Sequence, residues 1–140
     1  MTELNSATVE PGTWSWGAMP EQNRRARGHE FYPPFADLAK IPELYATEGQ
    51  PVDQKICHLH YFTGGSDWYI AEVDPASGLA FGWARVNYPE GEWCYIHLVE
   101  LEELYLTPAV RPGSVAPPIL VERDLHFAPT RAADIPAIDS

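Results

Sequence analysis

The chain has 140 residues, 45% of them apolar and 12% aromatic, enough for one domain with a core that needs no covalent staples. Its formal charge of -11 disfavours direct binding to nucleic-acid phosphates, where affinity comes from Lys and Arg. No apolar run approaches the ~20 residues of a membrane helix, and "MTELNSATVEPGTW" lacks a basic-then-apolar leader, so the expectation is a cytoplasmic protein.

Residues 1–30 read as a flexible arm. Pro11, Gly12, Gly17 and Pro20 interrupt a polar stretch without period. Within it "TWSWG" sets Trp14 and Trp16 on one side of an extended segment, where they suit an anchor for a partner or for the domain itself. "RRAR" at 24–27 is a basic cluster too short for a nucleic-acid patch. Residues 31–130 are then expected to form the domain and 131–140 a tail.

"FADLAKI" at 35–41 has helical spacing, bounded by Pro33, Pro34 and Pro42, so the helix is short. Four strands follow at 55–62, 68–74, 79–86 and 92–98, separated by "TGGSD", "PASG" and "NYPEG". Short loops between successive strands predict antiparallel neighbours in a meander. At 98–106 the period changes: Leu98, Leu101 and Leu104 or Tyr105 recur every three or four residues among glutamates, which predicts an amphipathic helix. "ILVERDLHFAP" at 119–129 reads as a last strand. On the third strand Ala80, Gly82 and Ala84 form a face of small residues suited to close packing by the helix. The fold class expected is α+β: a four- to five-stranded, mainly antiparallel twisted sheet with one face covered by the two helices and the other face or an edge left for a partner.

Three sets of residues carry the functional expectations. First, residues 41–106 hold 11 acidic and 2 basic side chains. Glu90, Glu92, Glu100, Glu102 and Glu103 fall within fourteen residues and are expected to form one acidic surface. Such a surface attracts a basic partner and can imitate the phosphates that occupy a nucleic-acid channel. Second, His58 and His60 alternate on one strand. With Glu72 and His97 they make a possible ligand set for zinc or iron, the alternative being exposed or hydrogen-bonded strand histidines. Third, Glu72 beside Trp68 and Ile70 on one strand face would have a raised pKa if buried there, and would suit an acid catalyst. It is equally read as a rim residue or as the partner of Arg85 or Arg123. Cys57 and Cys94 read as small core residues, not a redox pair. There is no G-x-S-x-G, Walker loop or G-x-G-x-x-G, so no cofactor is expected.

"LYATEGQ" (44–50), "YFTGGSDWYIAEVD" (61–74), "FGWARV" with "GEWCYIHLVELEEL" (81–104) and "VERDLHFAP" (121–129) occur in order over about two thirds of the chain. In these blocks the chain resembles the mobile-element family filed as domain of unknown function 2958. The resemblance implies a small α+β protein encoded on a plasmid, phage or integrative element, with no assigned catalytic residue. It departs from the family at His58 and His60, at Gly64, and at His97, where a serine would cap the helix better. The matching aromatics, Tyr45, Trp68, Tyr69, Phe81, Tyr95 and Phe127, are expected in the core or half-buried. Arg123 is expected to pair with Glu48 or Glu72, or else to serve a ligand. Taken together these readings favour a non-catalytic binding protein, with an anti-defence factor (anti-CRISPR or anti-restriction) as its sharpest form. The alternatives are a small metal-binding protein or enzyme using His58, His60 and Glu72, and an accessory subunit joined to a larger complex through its sheet edge or tryptophan arm.

Overall fold

The structure is a computed structural model in which residues 19–87 and 89–138 are described. The meander is present as β2 (Leu59–Thr63), β3 (Ser66–Val73), β4 (Leu79–Arg85) and β5 (Glu92–His97), each antiparallel to the next. The outer edge of β2 receives β6 (Glu122–Arg123), giving the order β5-β4-β3-β2-β6. A two-stranded ladder joins β1 (Ile56–Cys57) to β7 (Thr130–Arg131). The predicted first strand is thus broken at His58, and the predicted last strand contributes only two residues plus a bridge from Leu106 to Ile119. The helices are α1 (Arg24–Arg27), α2 (Phe35–Leu38) and α3 (Leu98–Glu103). The last is shorter than its apolar period suggests, because Leu104 turns extended and Leu106 is taken up by the bridge. His97 precedes α3 without a side-chain capping bond.

Local chemistry fixes the meander. Gly64, at φ +50°, turns the chain between the paired Thr63 and Ser66, a left-handed backbone that side chains resist. Asp74 closes the next turn by accepting from Ala76 N and the Ser77 hydroxyl. In β3 the alternation breaks. Ile70 pairs with Gly82 and Glu72 with Phe81, leaving Ala71 as an extra residue in a bulge. A Cβ on Gly82 would lie 1.9 Å from the carbonyl oxygen of Tyr69, so glycine is needed here for the neighbouring strand. Ala80, on the same face, does pack with α3.

Both sheet faces are apolar. On the first, Leu59, Tyr61, Trp68, Ile70, Val73 and Ile96 bury against Leu98, Val99 and Leu101 of α3 and against Phe31, Leu38 and Val121. On the second, Cys57, Tyr69 and Trp83 bury against Ala132 and Ile135, with Trp93 and Phe127 half-buried around them. Residues 127–138 cover part of this second face, while Tyr95 on it stays exposed. The expected arm and tail are corrected. Residues 22–27 hydrogen-bond to Glu102 and Val121, and 130–132 to β1 and Lys55. The folded body thus reaches beyond 31–130 at both ends. Trp14 and Trp16 lie outside the described residues.

Candidate functional site

The five glutamates do not form one surface. Glu102 is buried at 1% exposure. Its carboxylate accepts from Arg27 Nη1 at 3.0 Å, Gln22 N at 2.8 Å and Asn23 N at 2.9 Å. Arg27, also buried, donates further to the carbonyls of Val121 at 2.7 Å and Glu102 at 3.1 Å. The reason is helical geometry: α3 turns Glu102 inward with Leu98, Val99 and Leu101, and the basic cluster supplies the counter-charge. Glu103 is half-buried and accepts from the Gln22 side chain. Burial, then the charges of Glu102 and Glu100, pushes its pKa upward. Glu90, Glu92 and Glu100 are exposed, but Glu92 opens β5 and Glu100 lies beyond its far end. At about 3.3 Å per residue that strand keeps them well apart.

Nor do the histidines gather around a metal. His60 is stacked on Tyr69 with centroids 4.2 Å apart. Its Nδ1 lies 2.9 Å from Asp124 Oδ2 and its Nε2 2.8 Å from Asp67 Oδ1. Each ring nitrogen thus faces a carboxylate oxygen, which can only accept. Asp67 is also held by Arg85 at 2.7 Å, which takes Arg85 away from Glu72. The His60 bond helps to draw the Asp124 carboxyl pKa down, against burial, which raises it. His58 sits at the strand break, and burial lowers its pKa. Among the described residues no group of three or more His, Cys, Asp or Glu side chains is placed to hold a metal. Cys57 and Cys94 are free, the first buried and the second half-buried.

Glu72 is where the structure departs most from the sequence reading. The bulge at Ala71 moves Glu72 off the face of Trp68 and Ile70 and onto the second face, paired with Phe81. There it receives Tyr45 N at 2.8 Å, Thr47 N at 3.2 Å and the Thr47 hydroxyl. Buried Lys55 stands 3.4 Å away and also donates to Thr47 O at 2.6 Å and Thr47 Oγ1 at 2.7 Å. Burial raises the carboxyl's pKa, but the bonds from Thr47 and Tyr45 and the charge of Lys55 outweigh it, and the net shift is downward. A carboxylate so held is an anchor, which corrects the reading of Glu72 as a proton donor. Arg123 pairs with neither Glu48 nor Glu72; its Nε donates to the carbonyl of Glu30 at 3.2 Å.

What Glu72 anchors is the loop 43–50, and this loop carries an anomaly. Tyr45 has φ +73°, a left-handed backbone uncommon for an aromatic residue. The residue is 56% exposed, and its ring meets that of Tyr95, a residue 54% exposed, edge-on at 6.3 Å. Tyr95 packs on Phe81 at 5.5 Å, and a hydrogen bond with Tyr45 raises the Tyr95 phenol pKa. With Glu48, Lys55 and Glu72 these rings line a hollow of about 190 Å³. Two aromatics expected in the core or half-buried, Tyr45 and Tyr95, therefore stand at the surface. Their positions are set by the bulge and by a loop clamp that no local pattern announces. The glycine at position 82, needed where β4 passes close to the Tyr69 carbonyl just before the bulge, is the nearest sequence signal.

Comparison with known protein families, with curated proteins and with solved structures finds no match to this chain.

Proposed function

We propose that the protein is a non-catalytic binding module that receives a basic side chain of a protein partner in the hollow between Tyr45, Tyr95 and Phe81. The observation that carries this reading is the exposed, strained Tyr45 held beside Tyr95 by the buried Glu72–Lys55 pair. Aromatic faces attract cations, and Glu48 adds a carboxylate to the same rim. The Lys55 ammonium lies 5.7 Å from the Phe81 ring centroid, so the aromatic faces left for a partner's cation are those of Tyr45 and Tyr95, and Glu72 offsets the Lys55 charge. The excess of acidic residues in 41–106 favours encounter with a basic surface at a distance. The resemblance of the four sequence blocks to the mobile-element family favours, within this proposal, a host defence protein with a basic channel as the partner class. In that anti-defence reading Glu90, Glu92 and Glu100 add negative charge, and Glu102 and Glu103 are left out of the contact surface.

The test is a titration of isotope-labelled protein with a capped arginine-rich peptide and its glutamine counterpart, followed by NMR. The arginine peptide should shift signals of Tyr45, Glu48 and Tyr95, and added salt should weaken it. Tyr95→Ala should reduce affinity about three- to thirty-fold, the range of a cation–aromatic contact. Equal binding of the two peptides, or unchanged binding by Tyr95→Ala, would rule the reading out.

A further inference from the structure

On the opposite side of β2 from β3, where β6 joins the sheet, lies a second cleft of about 280 Å³. It is lined by Lys40, His58 and Arg123, by Asp37 and Asp124, and by apolar side chains that include Leu59 and Phe127. The polar groups differ in how far they are committed. Asp124 is held by His60 and by the backbone N–H of His126. Arg123 spends Nε on Glu30 O, but among the described residues its two terminal nitrogens have no hydrogen-bond or ion-pair partner. The same is true of Lys40 Nζ, the His58 ring and the Asp37 carboxylate. Arg123 and His58 are partly buried.

We infer that this cleft binds a small carboxylate-bearing molecule, its charge taken by the Arg123 fork and Lys40 and its apolar body laid on Leu59 and Phe127. A guanidinium with two free terminal nitrogens matches the two oxygens of one carboxylate. His58, kept neutral by burial, can add a directional hydrogen bond without further charge. Asp37 and Asp124 in the same wall oppose a second negative charge, which favours a monocarboxylate over a phosphate. This site is independent of the aromatic hollow, shares no lining residue with it, and would stand if the basic-partner reading failed.

Benzoate, benzyl alcohol and inorganic phosphate serve as probes in an NMR titration of the full chain. Benzoate should shift the signals of His58, Arg123 and Phe127 and saturate in the millimolar range, while benzyl alcohol should bind at least about ten-fold more weakly. Arg123→Gln should weaken benzoate by about ten-fold or more, with the remaining spectrum unchanged as the check on folding. Should Arg123→Gln fail to fold, Lys40→Gln, at an exposed position, carries the same test with a smaller loss. Benzoate shifts confined to other regions, affinity unaltered in both variants, or tighter binding of phosphate than of benzoate would each overturn the assignment.

Discussion

The protein buries two ion pairs to nearly the same depth, and they do different things. Arg27–Glu102 has side-chain exposures of 0% and 1%, Lys55–Glu72 of 5% and 3%. Around the first, every partner is part of the packed body. Backbone groups of residues 22 and 23, the end of α3 and the carbonyl of Val121 are tied into one knot under the first sheet face. Around the second, the partners are N–H and hydroxyl groups of a loop whose tip carries an exposed ring on a left-handed backbone. Burial of charge does not by itself mark a functional site. What separates the pairs is that one holds interior to interior and the other holds interior to surface.

The largest effect is expected at the first pair. Glu102→Ala leaves Arg27 charged and buried with only the more distant Glu21 carboxylate, 3.8 Å from Nη1, as counter-charge, and should cost about 3 kcal/mol in urea unfolding. Replacing both members by apolar residues, as in Arg27→Met with Glu102→Leu, should recover most of that loss. Under conditions where each variant remains folded, binding of the arginine peptide should not change. A fall in affinity with Glu102→Ala would erase the contrast between the two pairs.

At the second pair a smaller loss of stability should come with a loss of binding. Glu72→Gln keeps the volume but weakens the bonds to Tyr45 and Thr47, and a cost of about 1.5–3 kcal/mol is expected. The pH dependence has a definite sign. The Glu72 pKa is lower in the folded state than in the unfolded chain. Its contribution is therefore fully present above the unfolded value of about 4.3 and is lost as pH falls through the lower folded value. Urea unfolding followed into acid should show a shallower decline for Glu72→Gln than for the native chain. Equal acid limbs would mean that the carboxylate is not held as described.

These two pairs also show how far the sequence could be read. The meander was legible because apolar alternation and Gly, Pro and Asp turns are local signals, and the fold class followed from them. The Arg27–Glu102 pair joins positions 75 residues apart, one of them in a four-residue helix too short to show a period. By local pattern alone residues 22–27 therefore read as part of an arm. Glu72 was legible as an unusual carboxylate in an apolar strand, but its direction was not. One extra residue in β3 reverses the face of all that follows it, and alternation carries no mark of where that residue is inserted. Tyr95 alternates like any strand aromatic, so only the edge position of β5 and the loop beside it reveal that its ring is exposed.

The smallest effect addresses the clamp itself. If Lys55 and Glu72 hold Tyr45 in a left-handed backbone, the cost of that backbone depends on the residue placed there. Glycine adopts it freely, whereas alanine pays about 1 kcal/mol for its Cβ. Tyr45→Gly should therefore be more stable than Tyr45→Ala by about that amount, although both lack the ring and both should lose the arginine peptide to the same degree. The two variants separate backbone from side chain at one position. Equal stability would mean that the loop relaxes out of the left-handed state once the ring is gone. The ring, not the buried pair, would then shape the loop, and the second ion pair would be structural like the first.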